Sequence, residues 1–562
     1  MRVAEAIGQE LARQGLDQVF GVVGSGNFHV TNALVAAGAR FVATRHEAGA
    51  AIMADAYART TQRVAAATFH QGCGLTNALT GLTEAAKSRT PLLVLAADTA
   101  GWNTLSNFNI DQPAVLRGLG IHSETITSPR TAVHDAVRAF RRAAVDRRTV
   151  VLNLPLDVQE AEVPADALPP FAPPVLEPAV AGPRSVEQLA DLLRTAQRPV
   201  LIAGRGARLS GARDVLAELA DLSGALLATS AVARGLFEGL EWSVDVSGGF
   251  ATPMAAELIG SADLVVGWGA SLNVWTLRGG ELLAADATVV QVDEDPAALG
   301  VHVRIDHGVV GDVAATAAAT VEQLRARPRT APSWRTPELS ARIRAGRRWR
   351  DEPYEDTSTG ELIDPRTLST ALNEVLPIER VVAPDGGNFN GYPAMFLDVP
   401  DERGYCLTLA FQSIGLGLST AIGAGLASPG RVAVAGVGDG GFMMSHVELD
   451  TAVRLALPLV VVVYNDHAYG AEVHHFGPEG HPLGIVEFPE TDIAAIARGY
   501  GCEAVTVRTV SDLKGVADWV AGSRERPLVV DARITRFASW MIAHSFATER
   551  IDELEEHDGP AG

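Results

Sequence analysis

The sequence predicts an α/β protein with three doubly wound domains, each built on a parallel sheet that helices cover on both faces. Three observations lead to this prediction. Short apolar runs alternate with segments of helical periodicity along most of the chain, as they do in βαβ units. These runs are continuous rather than alternating, which is typical of strands buried on both sides. Two linker-like segments divide the 562 residues, which are too many for one hydrophobic core.

The two dividing segments set the predicted domain boundaries. Residues 163–184 contain seven prolines, which favour an extended connection. Residues 325–356 run from an Arg-rich block into an acidic one, and we interpret them as a solvated linker and helix. The predicted domains are therefore an N-terminal domain (1–165), a central domain (184–325) and a C-terminal domain (360–545).

Strand candidates follow in chain order within each domain. The N-terminal domain offers QVFGVV, RFVATR, VAAATFH and PLLVLAAD, and the central domain offers RPVLIAG, ADLVVGWG and ATVVQVDEDP. The C-terminal domain offers RVVAPDGG, RVAVAGVGDGG, LPLVVVVYND and RPLVVDAR. Helical patterns separate these runs, so consecutive strands are expected to be parallel.

Composition excludes several classes of protein. The formal net charge of −21 argues against a nucleic-acid partner, which would require a basic face. Three widely spaced cysteines form neither a disulfide framework nor a zinc site and suit a reducing compartment. The N-terminal segment lacks the features of a signal peptide, and the apolar runs are too short to span a membrane. We therefore expect a cytoplasmic protein without membrane or nucleic-acid partners.

Two carboxylates follow consecutive strands of the C-terminal domain. Asp439 lies in the glycine turn after RVAVAGV, and Asp466 ends PLVVVVYND, 27 residues later (466 − 439). Both are expected at the strand-end edge of one sheet, where such sheets bind ligands. Two adjacent carboxylates repel each other unless a cation lies between them, and Mg²⁺ accepts carboxylates together with phosphate oxygens. Gly438, Gly440 and Gly441 would allow close approach of a phosphate, so we favour a Mg²⁺–diphosphate site over an ordinary turn and strand-end loop.

This pattern resembles the signature of thiamine diphosphate enzymes related to acetolactate synthase, benzoylformate decarboxylase and pyruvate decarboxylase. The resemblance covers roughly residues 1–545, with an N-terminal pyrimidine-binding and a C-terminal diphosphate-binding domain. It implies thiamine diphosphate and Mg²⁺ as cofactors, with Asp439, the Asp466 side chain and the Ala468 carbonyl as metal ligands. It also implies that Asn465 and Tyr469 border the cofactor. The second Asn of the common pattern is Asp466 here, which adds a negative charge to the cation site.

A second match lies in the first domain. The segment TRHEAGAAIMADAYAR (44–59) places Glu47 where the family has a glutamate. The resemblance implies that its carboxyl group exchanges a proton with N1′ of the aminopyrimidine, for which a buried glutamate with a raised pKa is suited. A first-turn glutamate favoured by the helix dipole is the alternative. With both motifs present, we favour the catalytic role.

Further catalytic candidates come from loops that resemble substrate-bordering segments of the family. FGVVGSGNFH (20–29) and TFHQGCGLTNALTGL (68–82) place Ser25, His70 and Gln71 near the reacting centre. Benzoylformate decarboxylase has a proton-carrying histidine at a position similar to His70, whereas acetolactate synthases lack it; a structural strand-end histidine is the alternative. Glu472 lies where pyruvate decarboxylase-like enzymes carry a proton-donating glutamate, and an exposed helix charge is the alternative. A helix would place Glu472 on one face with His475.

Two loops of the C-terminal domain complete the candidate cofactor site. LAFQSIGLGLSTAIGAGL (409–426) resembles the segment that holds the cofactor in a bent conformation. Ile414 would support it between its rings, and the Gln412 carbonyl would accept a bond from the 4′-amino group. APDGGNFNGY (383–392) places Gly387 and Asn388 near the diphosphate.

The central domain carries Gly204-Arg205-Gly206, a fragment of a dinucleotide-binding loop and weak evidence by itself. Relatives bind FAD, ADP or CoA here, or nothing. GASLNVWT departs from the GARFDDR type of FAD-binding acetolactate synthases, which argues against FAD. A scaffold domain without a cofactor is the simpler interpretation.

The resemblance implies cleavage or formation of a C–C bond next to a carbonyl group. The first and central domains favour a carboligase of acetolactate synthase type that acts on a 2-oxo acid or an acyloin. His70 and Glu472 favour instead a non-oxidative decarboxylase or lyase of benzoylformate decarboxylase or benzaldehyde lyase type; an FAD-dependent oxidase of pyruvate oxidase type is a third alternative. The retained carboxylates argue against a non-enzymatic relative. In this family Glu47 of one subunit meets the Mg²⁺ site of another, which implies a homodimer at minimum and commonly a homotetramer.

Overall fold

The structure is a computed structural model that describes residues 1–171 and 177–544. Within these residues the chain forms three parallel sheets, each in its own α/β unit, which confirms the predicted fold class. The predicted linker 163–184 and the predicted domain end at residue 545 lie partly outside the described residues. In the described part of the chain, no helix has the length and apolar character needed to cross a membrane.

The first domain has a sheet of six described strands in the order β2-β1-β3-β4-β6-β5. The strands are β1 (Gln18–Gly21), β2 (Arg40–Ala43), β3 (Ala65–Phe69), β4 (Leu92–Asp98), β5 (His122–Thr125) and β6 (Thr149–Pro155). The helices are α1 (Val3–Arg13), α2 (Phe28–Ala36), α3 (Glu47–Thr61), α4 (Cys73–Asn77), α5 (Leu79–Lys87), α6 (Gln112–Gly118), α7 (Ala132–Val145) and α8 (Leu156–Glu160).

The central domain has a second sheet of six described strands in the order β12-β11-β10-β7-β8-β9. The strands are β7 (Pro199–Ala203), β8 (Leu226–Thr229), β9 (Ser243–Val246), β10 (Leu264–Trp268), β11 (Thr288–Asp293) and β12 (His307–Val310). The helices are α9 (Pro183–Thr195), α10 (Arg205–Leu209), α11 (Arg213–Ser223), α12 (Pro253–Gly260), α13 (Val274–Leu277) and α14 (Val313–Ala326), followed by α15 (Pro337–Gly346) in the connection to the third domain.

The C-terminal domain has a sheet of five described strands in the order β13-β14-β15-β17-β16. The strands are β13 (Arg380–Pro384), β14 (Val432–Gly438), β15 (Leu459–Asn465), β16 (Glu503–Val507) and β17 (Leu528–Arg533). The helices are α16 (Pro365–Val375), α17 (Gly391–Phe396), α18 (Gly417–Leu426), α19 (Asp439–Ser445), α20 (Leu449–Arg454), α21 (Gly470–Phe476), α22 (Ile493–Gly499) and α23 (Lys514–Ala521).

The first and C-terminal domains share one continuous hydrophobic core. Helix α3 packs against α18, and Gly423 permits this contact because a Cβ there would lie 2.3 Å from the carbonyl oxygen of Met53. Every residue of β14 and of β15 is buried, as expected for central strands of a sheet covered on both faces. The strand ends that carry the candidate site are therefore held on a rigid support.

Candidate active site

The two predicted metal-binding carboxylates lie at the ends of paired strands. Asp439 begins α19 directly after β14, and Asp466 follows β15, which pairs with β14. Asp439 is only 8% exposed, and its Oδ1 atom is buried without a hydrogen-bond partner in the described part of the protein. Burial and the negative charge of Asp466 both raise the pKa of Asp439. Burial also raises the pKa of Asp466, although Arg536 opposes this shift.

A divalent cation fits this pair of carboxylates. The described residues contain no group of three or more His, Cys, Asp or Glu side chains that could hold a metal ion. Mg²⁺ does not need such a group, because it is commonly bound by one or two carboxylates together with water and substrate phosphates. The unpartnered Oδ1 of Asp439 and the mutual repulsion of the two acids are the features that a cation would satisfy.

The glycine turn brings backbone and ring atoms close together around Asp439. A Cβ on Gly440 would lie 2.5 Å from Cε1 of Tyr469, and one on Gly441 would lie 2.5 Å from Oδ2 of Asp385. A Cβ on Gly438 would lie 2.9 Å from the Phe389 ring. These positions therefore exclude any side chain, and Tyr469 forms one wall of the turn.

Asp385 is a site residue that the sequence did not point to. Its fully buried carboxyl group accepts hydrogen bonds from the backbone N–H groups of Gly386 (2.9 Å), Gly415 (2.8 Å) and Leu416 (3.0 Å). Burial raises the pKa of this carboxyl group to about 6. Asp385 thereby fixes the loop that precedes α18.

The same loop carries two predicted cofactor contacts. Gln412 is exposed and has a positive φ of 57°, whereas Ile414 is half-buried. The Cγ2 atom of Ile414 lies close to Gly386, 3.3 Å from where a Cβ of that glycine would be. Gln412 therefore lies at a solvent-exposed turn of the chain. Ile414 packs beside the loop that follows β13.

Two predicted asparagines have side chains with structural partners. Asn388 donates from Nδ2 to the carbonyl of Phe537 (2.8 Å) and accepts from the N–H of Ser539 (2.9 Å). Asn465 donates to Asp531 (2.8 Å), which anchors β15 to β17. Gly387, with φ of 119°, precedes Asn388 in the turn after β13. These bonds hold both asparagine side chains in place within the protein.

The segment after Asp466 leads into the short helix α21. Ala468 is buried and bridges to Glu487. Glu472 is half-buried on α21, one turn from the Asp466 loop. His474, on the same helix, has an Nε2 atom that is buried without a partner in the described residues, and burial lowers its pKa. His474 therefore joins Glu472 as a titratable group near this end of the site.

The second group of predicted residues lies at strand ends of the first domain. Glu47 is the first residue of α3 and is half-buried. Asn77 donates to its Oε2 atom at 3.0 Å, while Oε1 lies next to Gly74, 3.5 Å from where a Cβ of that glycine would be. One carboxylate oxygen is thus oriented by the protein and the other faces a position without a side chain.

His70 lies beside Glu47, directly after β3. The N–H of Gly26 donates to Nδ1 of His70 at 3.2 Å, so the neutral ring carries its proton on Nε2. The His70 ring meets Phe108 edge to face at 4.9 Å between centroids. Burial lowers the pKa of His70, although the charge of Glu47 opposes this shift.

The remaining two candidates of this group differ in their surroundings. Gln71 is buried, and its Oε1 atom has no hydrogen-bond partner in the described part of the chain. That atom lies close to Gly26, 1.9 Å from where a Cβ of that glycine would be. Ser25 is exposed in the loop that packs against His70.

The two groups have no direct polar contact with each other in the described part of the chain. The start of α3 packs against Glu448 instead, which accepts hydrogen bonds from the N–H groups of Arg45 (3.1 Å) and His46 (2.9 Å). Among the described residues, no hydrogen bond or ion pair joins Glu47 or His70 to Asp439 or Asp466. We refer to these two groups of residues as the two half-sites.

The glycines of the central domain have a packing role. A Cβ on Gly204 would lie 2.3 Å from the carbonyl oxygen of Gly269, and one on Gly206 would lie 2.8 Å from the Gly269 Cα. The cavity at this edge of the central sheet is about 70 Å³, and carboxylates line it beside arginines: Asp146, Asp293, Glu294 and Asp312. These carboxylates oppose an anionic group there, and the interpretation of the central domain as a scaffold without a cofactor stays a prediction.

Segments of all three domains match models of one protein family. The chain matches the models of the thiamine pyrophosphate enzyme N-terminal TPP binding domain (residues 1–112), central domain (186–321) and C-terminal TPP binding domain (385–532).

Curated relatives match nearly the whole chain. A sulfoacetaldehyde acetyltransferase of Alcaligenes xylosoxydans xylosoxydans is 27% identical over 543 residues, which cover 91% of this chain and 89% of that protein. A probable 2-ketoarginine decarboxylase of Pseudomonas aeruginosa is 30% identical over 531 residues, covering 91% and 90%. A solved structure, the thiamine diphosphate-dependent 4-hydroxybenzoylformate decarboxylase of Rhodococcus jostii RHA1, has the same fold, with a TM-score of 0.80 at 22% identity over 96% of this chain and 100% of that one.

Proposed function

Because this chain belongs to the thiamine pyrophosphate enzyme family, we propose that it decarboxylates a 2-oxo acid and transfers the remaining acyl unit to a second carbonyl compound. The observation that carries the cofactor assignment is the pair Asp439 and Asp466, with a buried carboxylate oxygen that lacks a partner in the described residues. The acyl transfer is supported by a full-length relative that is named as an acetyltransferase.

In this proposal the C-terminal domain holds the diphosphate and its cation. Asp439, Asp466 and the Ala468 carbonyl would hold Mg²⁺, and the glycine turn would contact the diphosphate through backbone N–H groups. Thiamine diphosphate, when bound, supplies an electron sink for the electron pair that remains when CO₂ leaves a 2-oxo acid. Asp385 keeps the loop with Gln412 in place for this purpose.

Residues of the first domain would donate and accept the protons that the reaction transfers. Asn77 holds Oε2 of Glu47, which leaves Oε1 to hold the proton exchanged with N1′ of the aminopyrimidine. His70 carries a proton on Nε2, because its Nδ1 accepts from Gly26, and can deliver that proton to the substrate. Gln71 and Ser25 would border the substrate.

The proposal includes a homodimer as the minimal active unit. Glu47 and His70 of one protomer would face Asp439 and Asp466 of its partner, and no hydrogen bond or ion pair among the described residues joins these groups within one chain. Size-exclusion chromatography with light scattering tests this point. A monomer that is active at the assay concentration would contradict it.

A second function is favoured by one observation. The Nε2–H group of His70, fixed by the bond from Gly26 to Nδ1, would donate to the substrate beside Glu47, and a simple decarboxylase needs such a donor to release a free aldehyde.

Product analysis by mass spectrometry separates the two functions. The purified protein, supplied with thiamine diphosphate and Mg²⁺, would be incubated with pyruvate or benzoylformate, with and without benzaldehyde as acceptor. Acetolactate or another acyloin is the expected product. Free aldehyde as the sole product would favour the decarboxylase, and in that case His70→Asn should slow its release. Equal product from Glu47→Gln would contradict the site assignment.

A further inference from the structure

A cavity of about 390 Å³ is lined by residues of the first and central domains together with Cys406 and Leu407 of the C-terminal domain, and none of the predicted site residues lines it. Its walls include Thr90, just before β4, and Leu209 at the end of α10. It therefore opens at the edge where the first sheet's strands begin, whereas His70 lies at the opposite edge, where they end. Its volume is in the range of small-molecule pockets, which is about 300–1,000 Å³.

The charge of the cavity contrasts with that of the protein. The chain as a whole carries a net charge of −21, yet no Asp or Glu is among the described residues that line this cavity. Its cationic lining consists of six arginines: Arg59, Arg63, Arg89, Arg147, Arg205 and Arg208.

Four of these arginines are already paired. Their carboxylate partners are Asp55 and Glu84 for Arg59, Asp17 for Arg63, Asp295 for Arg89, and Glu294 for Arg147. Arg205 and Arg208 form no ion pair with any described residue and donate only to backbone carbonyls, those of Ser88 and Arg59 respectively.

Of these two arginines, Arg208 is the more buried, and part of its guanidinium group lacks a hydrogen-bond partner among the described residues. It is 8% exposed, its Nη2 donates to the Arg59 carbonyl at 3.3 Å, and its Nε is buried without a partner in the described residues. Burial lowers the pKa of both Arg205 and Arg208. A buried charge without a counter-charge is unfavourable, and a guanidinium group forms paired hydrogen bonds with carboxylate or phosphate oxygens.

The rest of the lining is mixed: Phe140, Ala144, Leu209, Val232 and Leu407 provide an apolar part, and the polar residues are Gln14, Gln62, Ser88 and Thr90. We propose that this cavity is a binding site for a small organic anion, whose phosphate or carboxylate group contacts Arg208 and Arg205 and whose apolar body packs against Phe140 and Leu209. The site is separate from the active site, so its test does not depend on the proposed reaction.

Isothermal titration calorimetry of the full-length protein, loaded with thiamine diphosphate and Mg²⁺, tests the site. The probes are phenyl phosphate, benzoate and the uncharged benzyl alcohol. We expect saturable binding of at least one anion, with one site per chain, and no binding of benzyl alcohol. The tighter anion identifies the preferred charged group. Absence of saturable binding of both anions would overturn the proposal.

Substitutions locate the binding. Arg208→Met should weaken the anion at least about tenfold, whereas Arg213→Met, a matched change outside the cavity, should leave the affinity within about twofold. Without added anion, Arg208→Met should melt no lower than the parent protein, because an unpaired buried charge is removed. Unchanged affinity in Arg208→Met would overturn the assignment. If Arg208→Met does not fold, Arg205→Met at the less buried position tests the same contact by the same criterion.

Discussion

Replacing Glu84 with glutamine should loosen the loop that leads to the predicted cofactor-supporting residues. The Glu84 side chain has no exposed surface, and it accepts hydrogen bonds from Arg59 Nη2 (2.7 Å) and from the N–H groups of Phe411 (2.7 Å) and Ala410 (3.1 Å). The next residue in this loop is Gln412. A glutamine keeps the shape but replaces one accepting oxygen with an NH₂ group that faces donors.

The expected size of the effect follows from burial. Removing one partner of a buried ion pair costs about 3–5 kcal/mol, and the lower end applies here because Arg59 keeps its contact with Asp55 (2.7 Å). A loss of about 3 kcal/mol lowers the melting temperature of a domain of this size by about 6–12 °C. Thiamine diphosphate affinity should fall as well, because the loop with Gln412 and Ile414 is less well held.

Differential scanning calorimetry and a titration with thiamine diphosphate measure the two effects. Glu322→Gln is the matched control: Glu322 is 67% exposed and pairs with Arg325, so its loss should cost at most about 1 kcal/mol. If Glu84→Gln melts within about 2 °C of the parent, the buried ion pair does not hold this loop and the reasoning fails.

Three further predictions concern the site itself. Glu47→Gln should lower turnover by about 10²–10⁴-fold and leave thiamine diphosphate affinity nearly unchanged, as steady-state kinetics and calorimetry would record; full activity would contradict the proton role. Asp439→Asn should abolish the Mg²⁺ dependence of thiamine diphosphate binding without lowering the melting temperature of the cofactor-free protein, because a buried repulsion is removed. The third concerns pH: burial raises the pKa of Asp385 from 3.8 to about 6, so the folded state holds this proton more tightly than the unfolded state. That stabilisation is complete below pH of about 4 and is lost as the pH rises through about 6, so the stability of the parent relative to Asp385→Asn should fall by up to about 3 kcal/mol between pH 4 and 7, measured by urea unfolding.

The sequence predicted most of the central strands because burial on both faces produces continuous apolar runs, although the central strands β6 and β8 were not among the candidates. Every residue of β14 and of β15 is buried, and both strands are continuous apolar runs in the sequence. The edge strands β5 and β16 were not predicted, since their partly exposed residues, HSET and EAVTV, mix polar and apolar side chains. In these two edge strands the continuous apolar pattern on which the prediction depended is absent.

The site was predictable where chemistry and strand position coincide, as at Asp439 and Asp466. Asp385 and Glu84 were missed because their partners are backbone N–H groups distant in the sequence, and no local pattern records such bonds. Asn388 and Asn465 illustrate the opposite problem. Their motif positions suggest ligand contacts, yet their side chains hold Phe537 and Asp531, which only the folded chain reveals.

The proposed pairing of Glu47 of one protomer with Asp439 of its partner has a genetic consequence. A protomer that carries Glu47→Gln and a protomer that carries Asp439→Asn would each form inactive homodimers. A mixed dimer would concentrate both defects in one active site and leave the other with intact groups from each chain. Two alleles that fail alone would therefore complement each other when expressed together.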